Sequence, residues 1–277
     1  MKTELRYFTG TGNSLKVLKT CGEVFSESGT RINLAEISLK EKNIEPADLL
    51  VFCFPVYAFG IPRICNKYLN GIEPFKKQQN VAVLITAGDS DESGFAVKEC
   101  IRVLNKKNCD VIYSGIIQMP INWTTSPKPP FPPSKESAAE IIKKGEAEAR
   151  KIAKDIVSGV IRQHNFNYPK RYSRIKFYWE YWAFKYLGLP SMWRLFKVYN
   201  TCDGCGLCAK ICPTNSIEII QNKPVWSKTC EQCMRCVNFC PAESIFQSQG
   251  GETKDRHKYR EPDFKPKYDK NQSHIVV

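Results

Sequence analysis

Histidine is nearly missing from this 277-residue chain: the three present are His164, His257 and His274. All lie beyond residue 160, which excludes a histidine-based catalytic triad in the N-terminal half. Long apolar runs are missing too, and no stretch approaches the roughly 20 residues of a membrane-spanning helix. The opening Met1-Lys-Thr-Glu-Leu-Arg-Tyr-Phe8 is too polar for the apolar core of an export signal. Negative charge is scarce, with 28 acidic against 41 basic residues and a net charge of +13. Such an excess suits an acidic protein partner or an anionic membrane surface. Nucleic acid is the third candidate, but no recognition motif accompanies the charge, and no nucleic-acid role is expected.

Cysteine, by contrast, is abundant: 13 residues, eight of them in two copies of one pattern. The first is Cys202-x₂-Cys205-x₂-Cys208-x₃-Cys212-Pro213; the second is Cys230-x₂-Cys233-x₂-Cys236-x₃-Cys240-Pro241. Three thiolates at this spacing wrap three irons of a cube, and the fourth, before proline, ligates the cube of the other run. The pattern specifies two 4Fe–4S clusters, one on Cys202, Cys205, Cys208 and Cys240, the other on Cys230, Cys233, Cys236 and Cys212. Zinc ribbons pair two cysteines, a long loop and two more, and lack the triple spacing. Cys21, Cys53, Cys65, Cys100 and Cys109 show no ligand spacing and read as reduced, buried apolar residues. With oxygen-sensitive clusters and no export signal, the expected compartment is a reducing cytoplasm.

Ahead of the clusters, residues 3–160 alternate apolar runs with helical patterns, the signature of a parallel sheet between helices. Strands are expected at Leu5–Phe8, Thr30–Leu34, Asp48–Phe54, Val81–Thr86 and Val111–Gln118. Helices are expected at Ser14–Phe25, Ile61–Leu69, Gly94–Asn105 and Lys135–Val157, the last capped by Ser134 and ended by Gly159. Thr9-Gly-Thr-Gly-Asn-Ser14 falls between the first strand and the first helix. Its glycines let backbone N–H groups curl inward, the helix N-terminus favours an anion, and the interleaved hydroxyls suit a terminal phosphate. A triphosphatase loop would need Gly-Lys-Ser/Thr, and the dinucleotide fingerprint a third glycine where Leu15 stands.

At this loop the chain resembles flavodoxins, whose phosphate loop reads Ser/Thr-x-Thr-Gly-Asn-Thr/Ser, against Thr9, Gly10, Thr11, Gly12, Asn13 and Ser14 here. With the two cysteine runs, the whole resembles the bacterial flavodoxin–ferredoxin fusion electron-transfer proteins. The resemblance implies an α/β flavodoxin-like, doubly wound parallel five-stranded sheet of order 2-1-3-4-5, an FMN cofactor, and a small α+β two-cluster ferredoxin domain. It also implies an isoalloxazine between two loops. One is Pro55, Val56, Tyr57, Ala58, Phe59 and Gly60, with Tyr57 or Phe59 for stacking; the other is Ala87, Gly88 and Asp89, with Asp91 and Glu92. Trp123 is a further candidate, brought across the flavin or plugging the proline-rich stretch after it.

The expected division is 1–160 for the flavin domain, 161–194 for a basic aromatic linker, 195–249 for the cluster domain and 250–277 for a charged tail. The linker is too aromatic to stay in water, and two roles stand. Its rings cement the domains, which is the favoured reading, or they form a basic surface over 170–199 for a membrane or partner. Ser173–Leu187 reads as a helix ended by Gly188 and Pro190. The cysteine runs repeat at an offset of 28, Cys202 to Cys230, which equates Ile217 with Ile245. Apolar Ile211, Ile219, Val225 and Trp226 are expected to limit water near the sulfurs. The tail is either an extended strap or disordered.

The leading function is electron transfer among the clusters, FMN and acidic redox proteins of ferredoxin or flavodoxin type. The alternatives are an FMN-dependent reductase of a small molecule fed by the clusters, and a ferredoxin carrying a docking domain without flavin.

Overall fold

The computed structural model describes residues 1–57, 59–88, 93–164, 173–251, 253, 255–266 and 275–276. Two compact units emerge, neither contiguous in sequence: Met1–Thr9, Asn13–Met119 and Ala139–Tyr181 in the first, Gly10–Gly12, Pro120–Ala138 and Trp182–Val277 in the second. These units do not follow the expected boundaries at 160 and 195. Pro120–Ala138 departs from the first unit because its hydroxyls are spent in the second. Thr124 Oγ1 donates to Asn238 Oδ1 at 3.0 Å, and Thr125 Oγ1 to Gln247 Oε1 at 2.6 Å.

The first unit is built on five parallel strands: β1 (Lys2–Tyr7), β2 (Arg31–Glu36), β3 (Leu49–Pro55), β4 (Gln79–Ala87) and β5 (Cys109–Gln118). Their order is 2-1-3-4-5, that of the flavodoxin-like fold. Leu49 to Phe54 of β3 are all 1% exposed or less, so a continuous apolar run marks a strand covered on both faces. Helix α1 (Asn13–Glu27) lies beside α4 (Lys135–Val157), joined by Lys16–Glu146 at 3.2 Å and Arg150–Glu23 at 2.6 Å. The other pair is α2 (Arg63–Gly71) and α3 (Gly94–Leu104). They meet where the buried Glu99 carboxylate accepts from Asn66 Nδ2 at 2.8 Å and from the Ile61 N–H at 3.0 Å. Ser134 Oγ accepts from the Ser137 N–H, capping α4 as its sequence anticipates.

Helix α5 (Arg174–Trp182) turns Phe177 and Tyr181 inward onto Phe95, with Phe177 also 5.4 Å from Phe59. Tyr181 Oη donates to Glu99 Oε1 at 3.1 Å. Phe177 is fully buried, so Phe177→Ala is expected to cost about 3–5 kcal/mol, read as a lowered denaturant midpoint. Beyond α5 the expected stop at Gly188 does not occur. The chain continues as a π-helical stretch, Ala183–Gly188, then α6 (Leu189–Ser191), with Gly188 itself helical at φ −68. Pro190 sits in the first turn of α6, where its missing N–H costs nothing.

In the second unit β6 (Phe196–Val198) pairs antiparallel with β9 (Ile245–Gln247), and β7 (Ile217–Ile220) with β8 (Lys223–Trp226). Short helices α7 (Leu207–Lys210) and α8 (Arg235–Phe239) each carry the third cysteine of one run, Cys208 and Cys236. The two-fold repeat extends to the backbone. Gly204 and Gln232, Gly206 and Met234, and Asn215 and Glu243 are three pairs at the same offset of 28, all with positive φ. Ile217 and Ile245 are equivalent and both buried. Ile211, Ile219 and Trp226 shield the core as expected, whereas Val225 is 46% exposed because β8 alternates and its outward face carries Val225.

The tail is a strap over its described part. Tyr259, Glu261 and Phe264 are buried, and Asn238 Oδ1 accepts from the Tyr259 N–H at 2.8 Å.

Candidate functional site

Each cysteine run turns at a left-handed residue between its second and third cysteines. Gly206 (φ 72) and Met234 (φ 59) occupy the N-cap positions of α7 and α8 and swing the chain so that successive thiols converge. The thiols ring two separate cavities. One is lined by Cys202, Cys205, Cys208 and Cys240; the other by Cys212, Cys230, Cys233 and Cys236. Membership is crossed as the spacing requires, since each proline-preceding cysteine joins the other run's triplet. Among the described residues no three Cys, His, Asp or Glu side chains are arranged for a single metal ion.

Sulfur acceptors are supplied with donors by the same repeat. The Ser216 N–H donates to Cys212 Sγ and the Ser244 N–H to Cys240 Sγ, both at 3.4 Å, and both serine hydroxyls lie within 3.4 Å of those sulfurs. Such contacts stabilise charge on cluster sulfur and tune the potential. Burial pushes the thiols of Cys208 and Cys230 up to about 12 and Cys233 up to about 11, so in the absence of iron they hold their protons. Cluster insertion must therefore release protons.

The two cavities differ in exposure. Cys205 is exposed and Cys202 and Cys208 half-buried, whereas Cys230, Cys233 and Cys236 are all buried. Beside the inner cavity stands Arg235, 2% exposed, in the place that the repeat gives to Leu207 in the first run. Its Nε donates to Gly10 O at 3.0 Å and its Nη1 to Ile211 O at 3.1 Å, and it lies over the Phe264 ring at 5.5 Å. Asn122 Nδ2 donates to Cys233 O at 3.3 Å and to Thr11 Oγ1 at 3.1 Å. Neither residue was among the expected site residues. Setting the two runs side by side would have exposed Arg235, a charge where its counterpart is leucine; Asn122 has no sequence signal.

The glycine loop follows β1 and opens α1. Thr9 and Thr11 are 1% exposed and Ser14 is fully buried, with Ser14 Oγ 2.9 Å from Thr86 Oγ1. Gly12 has φ +113, and a Cβ there would lie 2.5 Å from Glu261 Cβ and 2.6 Å from Phe264 Cβ. The Glu261 N–H donates to Thr11 O at 2.8 Å, so the strap closes that side of Gly10–Gly12. Short hydroxyls, a glycine no other residue replaces and the start of a 15-residue helix are chemistry that fits a phosphate.

Of the expected isoalloxazine contacts, Pro55 ends β3, the Val56 N–H donates to Thr86 O at 3.0 Å, and Tyr57 and Gly60 pair as a tight bridge. Phe59, at φ 67, packs on Phe177. Ala87 accepts from the Met119 N–H, and Gly88 O from Gln118 Nε2. Ala58, Asp89, Asp91 and Glu92 lie outside the described residues. Trp123 packs against the buried core of the cluster-bearing unit. The five remaining cysteines are all buried, and burial pushes the Cys21 and Cys109 thiols up to about 12, leaving them neutral.

Residues 196–218 match a family model described as a 4Fe-4S binding domain, and residues 227–246 match a second of the same description. No curated protein matches the chain. Among solved structures, a Megasphaera elsdenii flavodoxin is 17% identical, covering 53% of this chain and 98% of its own, with a TM-score of 0.36. Oxidised flavodoxin 2 from Bacillus cereus is 15% identical, covering 56% and 99%, with a TM-score of 0.39. An NAD(P)H:quinone oxidoreductase from Methanothermobacter marburgensis is 15% identical, covering 56% and 98%, with a TM-score of 0.37. The fold assignment rests on the strand order itself. The chain thus joins a flavodoxin-like domain to a ferredoxin-type domain for two 4Fe–4S clusters.

Proposed function

We propose that this protein is an electron-transfer protein that exchanges electrons with acidic redox proteins through its two clusters and an FMN. The observation that carries the reading is the crossed set of eight cysteines around two cavities, on one chain with a phosphate-type loop on a flavodoxin-like sheet. Clusters supply one-electron exchange, and FMN accepts one or two electrons, when bound. Thr9 to Ser14 would hold the FMN phosphate.

The chain's own residues assign different tasks to the two cysteine sets. Cys205 reaches the surface, so its set is the side at which a partner docks. Lys223, whose Nζ donates to Cys202 O at 3.0 Å, places positive charge there for an acidic partner. The inner set is kept from water by Met234 and Val237, and the buried Arg235 guanidinium favours added negative charge beside it. Arg235→Leu, which restores the residue of the first run, is therefore expected to lower the potential of one cluster only, read by redox titration.

Anaerobic purification with iron, sulfide and flavin assays tests the composition. About eight irons and eight sulfides per chain are expected, with one FMN. About four irons would remove one cluster from the account, and a flavin-free protein that does not take up FMN would remove the flavin.

A further inference from the structure

Helix α5 carries apolar side chains on two opposite faces, and only one is explained by folding. Phe177 and Tyr181 face inward at 0% and 4% exposure. On the other side Ile175, Trp179 and Trp182, spaced i, i+4 and i+7, are 84%, 74% and 56% exposed. The π-helical continuation adds Tyr186 and Leu187 at 47% and 74%, with the Tyr186 ring stacked on Trp182 at 4.3 Å. Isolated exposed apolar residues are ordinary, but a row of two tryptophans, a tyrosine, an isoleucine and a leucine is not.

We propose that this face of α5 and its continuation is a docking surface for an anionic lipid membrane, on which the helix lies flat. Residue type favours a bilayer interface, because Trp and Tyr combine an apolar body with a polar edge and concentrate at headgroup depth. Charge favours anionic lipid. From 173 to 199 the exposed cations are Arg174, Lys176, Arg194 and Lys197, against Glu180 alone, which is 3.8 Å from Lys176; Lys185 is buried and adds nothing to this surface. A second copy of the chain would bring the same positive charge to the same face, within a molecule already at +13. No described helix is long and apolar enough to cross a membrane, so the contact is peripheral.

The test is flotation of the full chain with phosphatidylcholine vesicles, with and without phosphatidylglycerol, and it does not depend on the redox reading. The chain is expected to float with the anionic vesicles only, and less as salt rises. Trp179→Ser combined with Trp182→Ser should reduce the bound fraction at least about tenfold while the iron–sulfur absorbance is retained. Ile175→Ser with Leu187→Ser repeats the test at the two ends of the row and should act in the same direction. Failure of the wild-type chain to float, or flotation of both double variants equal to that of the wild type, would overturn the proposal. So would a wild-type dimer in sedimentation that the variants dissolve, since the face would then belong to a second copy.

Discussion

Cys240→Ala is expected to damage the cluster whose other three ligands lie more than 30 residues earlier, at Cys202, Cys205 and Cys208. The spectrum of the cluster on Cys230, Cys233 and Cys236 should change far less, although Cys240 follows directly on that run. The reason is the turn at Cys240–Pro241: α8 ends at Phe239, Cys240 becomes extended at φ −65 and ψ 117, and its thiol enters the other cavity. Cys212→Ala gives the mirror result. Low-temperature electron paramagnetic resonance of the reduced proteins distinguishes the two clusters, because the exposed and the buried one sit in different surroundings. Loss confined to the cluster of the mutated run would contradict crossed ligation. Since the small β6–β9 and β7–β8 pairs enclose a core made largely of cysteine and its neighbours, each substitution should also lower thermal stability.

Gly12→Val is the second large effect. The backbone at φ +113 strains a β-branched residue by about 1–3 kcal/mol. The new methyl groups also collide with Glu261 and Phe264, at another 1–3 kcal/mol or so for overpacking. The strap must then lift from Gly10–Gly12, and the loop must give up the conformation that presents its N–H groups. Flavin content should fall to near zero while iron content is largely retained. Limited proteolysis should cut earlier within 255–266 than in the wild type, reporting the released strap. Undiminished FMN binding would show that the loop is not the phosphate site.

Much of this was legible from residues alone. The apolar run Leu49–Phe54 announced a strand covered on both sides, and the hydroxyl-rich turn before Leu15 placed a phosphate-type loop at a strand end. The two cysteine runs declared both the clusters and their exchanged ligands, because thiolate spacing is set by the cube and not by the fold around it. What stayed hidden depends on long-range pairing. Nothing in Pro120–Ala138 says that Thr124 and Thr125 seek Asn238 and Gln247, more than 100 residues away. The tail was equally opaque, as its polarity hides that Tyr259, Glu261 and Phe264 are buried on a glycine loop near the start of the chain. The linker rings divided in a way composition cannot show. Phe177 and Tyr181 were absorbed by Phe95, and Trp179 and Trp182 were left outside. Gly188 and Pro190 misled as a helix stop because a helical glycine and a first-turn proline are both compatible with continuation.

The central claim is that electrons reach the flavin domain by way of the cysteine-held clusters. Anaerobic stopped-flow reduction by a reduced acidic ferredoxin, followed at the flavin absorbance, tests it most directly. Intact protein is expected to show fast flavin reduction, with the docking phase slowed by salt and the later phase insensitive to it. In the Cys205→Ala, Cys233→Ala double variant the flavin should be retained and its reduction slowed at least about a hundredfold, the loss of a route and not of a site. Equal flavin-reduction rates in the two proteins would contradict the account.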